Sequence, residues 1–282
     1  MSADNPLMLQ AEREKLARVL AVPASNLHSL EQLDVKQLRA LRNAISAALF
    51  DEHADVFKRL GDASKLLPAA ISAKLSSKVF GPLFSARISG LLPVERAIAI
   101  ARKLDTAFLA TLTRELDPRS ARPLLKQMPV EITVEVAEAL ADDEEFVTMA
   151  RFVDALTPEA IRAVSERLSD EQLLRIGFYV ETPESLTQII ADLPEDRIAN
   201  TVRLTAQGNP DIRAAGLALM AQVDSDAKAI LGGHAIALGD EVLAAMVSTA
   251  SELGAQQVLI DTLQAVAPSQ REQAQQWLQK LA

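Results

Sequence analysis

Large apolar residues recur about every twelve positions through the middle of this chain. They fall at Leu92, Leu104, Leu116, Met128 and Leu140, and again at Leu156, Leu168, Val180 and Leu193. Between these markers the spacing is helical: Ile161, Val164 and Leu168 in one segment, Leu186, Ile189, Ile190 and Leu193 in another. Residues three and four apart share one face of an α-helix, so each segment predicts a short amphipathic helix. No segment alternates apolar and polar residues over a useful length, so a half-buried strand is not expected. Helices of about ten residues are marginal alone in water. They must bury their apolar faces on each other, and units of this kind stack side by side.

The punctuation agrees. Pro93, Pro118, Pro129, Pro158, Pro183 and Pro194 each sit where a helix should begin. Proline suits a first helical position, where a backbone N–H would have no intrahelical partner. Asp117, Thr157 and Thr182 precede three of these prolines and can accept free N–H groups as caps. Glu95, Glu131, Glu159, Glu184 and Glu195 fall in first turns, where the helix dipole favours negative charge. The pattern predicts an all-α fold, a superhelical stack of short helices.

Outside the repeat the wording changes. After "AQGNPD" (206–211), turn signals come about fifteen apart, and the helices between them are longer and rich in Ala. "PLMLQAEREKLARVLA" and "SLEQLDVKQLRALRNAISAALFDEHADVFKRL" read as two amphipathic helices at the start. The expected division is therefore an N-terminal helical part (1–62), a short-helix repeat core (63–206) and a C-terminal helical extension (207–282).

The run "LTPEAIRAVSERLSDEQLLRIGFYVETPESLTQIIADLPEDRIANTV" (156–202) resembles the short-helix superhelix of the cytoplasmic N-terminal domain of MgtE magnesium transporters. The middle domain of the flagellar switch protein FliG is similar in wording. The resemblance covers roughly 90–205 and consists of Leu spacings and "L-x-P-E" starts. It implies a fold. "EEFVTMARFVDAL" with "LLRIGFY" also resembles an uncharacterised bacterial family to which no activity attaches.

Composition narrows the classes. Of 282 residues, 49 % are hydrophobic, enough for an ordered core. The chain has no Cys, which rules out disulfides and thiolate sites and suits a reducing cytoplasm. Uncharged runs such as "AILGGHAIALG" (229–239) are far short of the roughly 20 apolar residues a membrane span needs. The start, "MSADNPLMLQAEREK", lacks the basic and then apolar order of a secretory signal. Net charge is −9, made of +3 over residues 1–141 (19 basic, 16 acidic) and −12 over 142–282 (10 basic, 22 acidic). An acidic chain with 4 % aromatics lacks the footprint of a nucleic-acid binder.

Sites of chemistry are hard to find. Asp142, Asp143, Glu144 and Glu145 could offer oxygen ligands to a divalent ion, but consecutive helical residues point apart, and a solvated helix start explains them. His28, His53 and His234 show no ligand spacing. No nucleophile or phosphate-loop motif occurs; Gly232, Gly233 and Gly177 suggest close helix crossings or helix ends. Trp277 is expected to cap its own stack, with a dimer anchor as the alternative. No catalytic residue, cofactor or tightly bound metal is expected.

One stretch stands apart: "KLLPAAISAKLSSKVFGPLFSARISGLLP" (65–93). No Asp or Glu lies between Asp62 and Glu95, while Lys65, Lys74, Lys78 and Arg87 sit among large apolar residues. Two helices joined at "VFGP" fit it, with Leu67, Ile71, Leu75 and Val79 forming one stripe. The favoured expectation is a hairpin packed into the stack, Leu75 and Phe84 buried and the charges at its rim. The alternatives are a groove for an acidic amphipathic helix, supplied by another protein or by the acidic half of a second copy, and contact with a membrane surface. The contact residues would be Lys74, Lys78, Phe80, Phe84 and Arg87. Together these features lead one to expect a cytoplasmic, non-enzymatic protein-interaction or scaffold protein, with a second copy of the chain among the candidate partners. A membrane-surface regulator is second and an unrecognised enzyme third.

Overall fold

The computed structural model of the chain describes residues 6–51, 54–64 and 66–281. Among the described residues there are nineteen α-helices and no strand. Three short 3₁₀ segments and one π-helical turn complete the secondary structure. The all-α stack expected from periodicity is therefore present.

The prolines mark helix starts in two ways. Pro118, Pro158 and Pro183 occupy first helical positions, after Asp117, Thr157 and Thr182. Pro93, Pro129 and Pro194 sit one step earlier, in extended backbone at the cap itself. Asp117 accepts from the Arg119 N–H at 3.1 Å and Thr157 from the Ala160 N–H at 3.2 Å, whereas Thr182 makes no capping bond. Ser169 and Gln172 add a reciprocal capping box ahead of the Asp170–Tyr179 helix.

The chain divides into two compact units, one of residues 39–168 and one combining the N-terminal residues to 38 with 169–282. The boundary at 38/39 falls inside the Val35–Asp51 helix. In the 39–168 unit each helix packs on the one two places along. Gly81–Ser89, Thr106–Glu115, Val130–Asp142 and Pro158–Arg167 form one row. Ala69–Leu75, Val94–Ala101 and Pro118–Leu125 form a second. The structural repeat is thus a pair of helices, twice the spacing of the Leu markers. Polar bridges tie neighbours in a row: Thr106 Oγ1 donates to Glu135 Oε2 at 3.0 Å, and Arg167 Nε to Glu138 Oε1 at 2.8 Å. Arg114 meets Asp143 in the same way. Ala86, Leu112, Leu116, Ala121 and Phe152 form a buried cluster between the rows, with Phe108 and Leu125 against it.

In the other unit the alternating pattern recurs. Asp170–Tyr179 packs on Glu195–Gln207, and Glu195–Gln207 on Ser225–Ala237. Consecutive helices also meet. Glu195–Gln207 lies so close to Pro210–Gln222 that a Cβ on Gly216 would fall 1.9 Å from Thr205 Oγ1. Only a residue without a side chain allows that approach.

The Pro6–Leu20 helix docks on Asp170–Tyr179 and Pro210–Gln222. Its buried face carries Leu7, Ala11, Leu16 and Ala17, but also Glu12 at 0 % and Lys15 at 1 % exposure. The charges are compensated: Lys15 Nζ lies 2.7 Å from Glu12 Oε1 and 3.3 Å from Glu181 Oε1. Beside them the Tyr179 hydroxyl donates to Glu14. Burial, and then the Glu14 carboxylate, push the Tyr179 phenol well above its usual range.

Candidate functional site

Two carboxylates of the acidic run meet a cation. Asp143 and Glu145 both reach Arg114, and Glu145 accepts from the Thr148 hydroxyl at 2.8 Å. The run turns the chain between two helices, with Glu144 in left-handed backbone at φ 55°. Phe146, Met149 and Phe152 behind it are core. Of the histidines, His28 is exposed beside Glu31, His234 is half-buried, and His53 lies outside the described residues. Among the described residues no three Asp, Glu or His side chains are grouped to hold a metal ion. Trp277 is buried in its own unit, its indole N–H donating to Asp240 Oδ1 at 3.1 Å.

The basic, apolar stretch is where the structure departs most from expectation. Among the described residues, twelve large apolar side chains are exposed, and ten of them fall between Leu49 and Leu91; the others are Leu20 and Ile230. Leu66 is 88 % exposed, Val79 67 %, Leu83 54 %, Phe80 43 % and Phe84 37 %. Ile71 and Leu67 are exposed as well, and Leu75 is half-buried. The two hairpin helices do pack on Val94–Ala101 and Thr106–Glu115, but Leu75 is only partly covered, and Phe84 and the rest of the Leu67–Val79 stripe face outward rather than into the stack.

The reason lies in the small residues. Ser72 and Ala73 on the Ala69–Leu75 helix, and Ser85, Ala86 and Ile88 on Gly81–Ser89, are the buried positions. Ala86 enters the cluster around Leu112. Short side chains let helices approach closely, and this turns the larger residues outward. A stripe at helical spacing identifies one face of a helix but not which face is covered.

Local geometry holds these side chains out. The Ala69–Leu75 helix runs on into a π-helical turn, Ser76–Phe80. Gly81 then takes φ 74°, backbone that a residue with a side chain rarely adopts. The turn brings Phe80 to 5.9 Å from Phe84, and Phe57 meets Phe84 edge-on at 5.0 Å. Three partly exposed rings thus lie together. The basic residues of the hairpin divide by type. Arg87 donates to the Leu49 carbonyl at 2.6 Å, and Arg96 to the Leu67 carbonyl and, at 2.9 Å, to Ser72 Oγ. Lys74 and Lys78 are exposed and paired with no acid among the described residues. Of the expected contact residues, Lys74, Lys78, Phe80 and Phe84 lie on the outside, and Arg87 is half-buried and fixes the Leu49 backbone. Lys65 lies outside the described residues.

Sequence reasoning missed Leu66, Leu83 and Leu91 as parts of this surface, and Val56 and Phe57 from the preceding helix. The absence of acids over 63–94 was the available signal. It also missed the buried Glu12–Lys15 pair, because spacing three on a helix is equally common on solvated faces. Among the described residues no helix is long and apolar enough to cross a membrane. Compared with models of known families, with curated proteins and with solved structures, the chain matches none.

Proposed function

We propose that this chain is a non-enzymatic binding or scaffold protein, and that its working surface is the basic, apolar segment between Leu49 and Leu91. The observation that carries this reading is the concentration there of ten of the twelve exposed large apolar side chains. Isolated surface leucines need no explanation, but a cluster of exposed apolar residues marks a contact surface. The paired rows of short helices supply a rigid support for such a surface. In this reading they wind into a superhelix like that of the MgtE N-terminal domain, which the wording of 156–202 resembles, and the protein works in the cytoplasm. Helix-to-helix bridges such as Arg167–Glu138 and Arg197–Asp170 help hold that support together.

The test is assembly state. Full-length tagged protein at native level is compared with a Val79→Asp/Leu83→Asp variant by size exclusion and sedimentation of gently lysed cells. Wild type should travel in a particle well above 30.4 kDa or pellet with a larger structure, and the variant should not. If both run alike as the free chain, this surface is not the working one.

A further inference from the structure

We infer that the segment between Leu49 and Leu91 docks on a lipid bilayer containing anionic headgroups. The inference rests on the binding role proposed for that surface and names its occupant. Charge is the first argument. Residues 49–91 hold six basic and four acidic side chains, a net of +2 within a chain of net −9, and all four acids lie before residue 63. The occupant must therefore be anionic as well as apolar.

A second copy does not meet both needs. Two such surfaces face to face would set Lys74 and Lys78 against their own kind. The acidic half of another copy offers the charge, but outside 49–91 the only exposed large apolar side chains among the described residues are Leu20 and Ile230. The apolar groups would then meet a polar surface.

The side chains favour lipid over a protein helix. Val79, Phe80 and Leu83 project around a single tight turn, and Leu66 stands 88 % free of the protein. Projecting residues suit a fluid phase that closes around them, whereas protein hot spots seat side chains in formed pockets. The basic groups that face outward over 54–91 are Lys58, Lys74 and Lys78 with one arginine, Arg59, while Arg87, and Arg96 behind it, bind backbone carbonyls. Protein interfaces are depleted of lysine and enriched in arginine. Long lysine side chains beside apolar residues are the pattern of interfacial membrane contact, the ammonium reaching the headgroups while its stem stays among apolar groups. Phe57, Phe84 and Phe80 give the turn an aromatic cluster of the kind that interfacial segments bury among lipid.

The experiment is co-sedimentation of the purified full chain with vesicles of phosphatidylcholine alone or mixed with phosphatidylserine. Wild type should pellet with the mixed vesicles and stay in solution with the neutral ones, and added salt should release it. Near an anionic surface each unit of charge is worth about fivefold in partitioning. Lys74→Glu/Lys78→Glu changes four units and should weaken binding at least about tenfold even after screening. Val79→Gln/Leu83→Gln keeps the charges and should also lose binding, while Ile230→Gln should bind as wild type. All four proteins are first matched for helical content and melting temperature. Wild type that ignores mixed vesicles overturns the inference, as does equal binding to neutral vesicles or binding that neither double variant weakens. Should wild type ignore vesicles while Val79→Asp/Leu83→Asp still dissolves the native assembly, the surface keeps its binding role and its occupant is an acidic protein helix.

Discussion

Lys15→Met tests how the N-terminal helix is held. In the structure the Lys15 ammonium is 1 % exposed and lies 2.7 Å from Glu12, which is 0 % exposed, and 3.3 Å from Glu181. With an effective dielectric constant of about 20, each contact carries roughly 5–6 kcal/mol of attraction. Taking the ions out of water costs several kcal/mol apiece, so the net value of the intact cluster is small. Removing one partner is different, because Glu12 stays buried and loses the ammonium 2.7 Å away. The expected loss is about 3–5 kcal/mol, a large fraction of the 5–15 kcal/mol typical of a domain. The assay is urea unfolding at pH 7 followed by circular dichroism. Lys15→Met should lower the midpoint sharply, and Glu12→Gln/Lys15→Met should recover about half the loss or more, since an amide in place of the carboxylate costs less to bury. If Lys15→Met stays within about 1 kcal/mol of wild type, the docking of the Pro6–Leu20 helix on this cluster is wrong.

Other outcomes follow from single contacts. Gly216→Ala places a methyl group 1.9 Å from Thr205 Oγ1 and should cost about 1–3 kcal/mol by thermal or urea unfolding, despite alanine's higher helix propensity. Leu112→Ala, in the core cluster of the 39–168 unit, should cost about 2–5 kcal/mol, whereas Val79→Asp/Leu83→Asp should melt within a few degrees of wild type because both side chains already face water. The Tyr179 phenol is held protonated in the fold, above its ordinary value of 10.0. Its contribution to stability is whole below about pH 10, where the unfolded chain also keeps the proton, and is lost as pH rises beyond that. Melting temperatures taken across pH 9–12 should therefore fall less steeply for Tyr179→Phe than for wild type.

The helical stack was legible because its signals are local. Proline at helix starts, caps such as Asp117 and Thr157, and apolar spacing of three and four act within one turn and need no knowledge of the fold. The step from single helices to a two-helix repeat was not legible in the same way. It depends on Thr106 meeting Glu135 and Arg167 meeting Glu138, pairs that no local rule selects. The docking of the Pro6–Leu20 helix on Asp170–Tyr179 is a contact between distant segments and leaves no trace in spacing. In the candidate surface, Lys74, Lys78, Phe80 and Phe84 stood out through the missing acids. Their orientation did not, because the choice between large and small faces is made by the partner helix. Ser72, Ala73, Ser85 and Ala86 were the quieter half of the pattern, and they are the half that packs.

Amide hydrogen exchange of the full chain, free and with phosphatidylserine-containing vesicles, bears most directly on the claim that the Leu49–Leu91 segment is the working surface. The account predicts that bound protein gains protection over the Ala54–Ser64 helix and from Ala69 to Ser89, with little change across Pro210–Gln222 and Ser225–Ala237. Vesicle binding that protects those C-terminal helices and leaves 69–89 exchanging as in the free chain would contradict it.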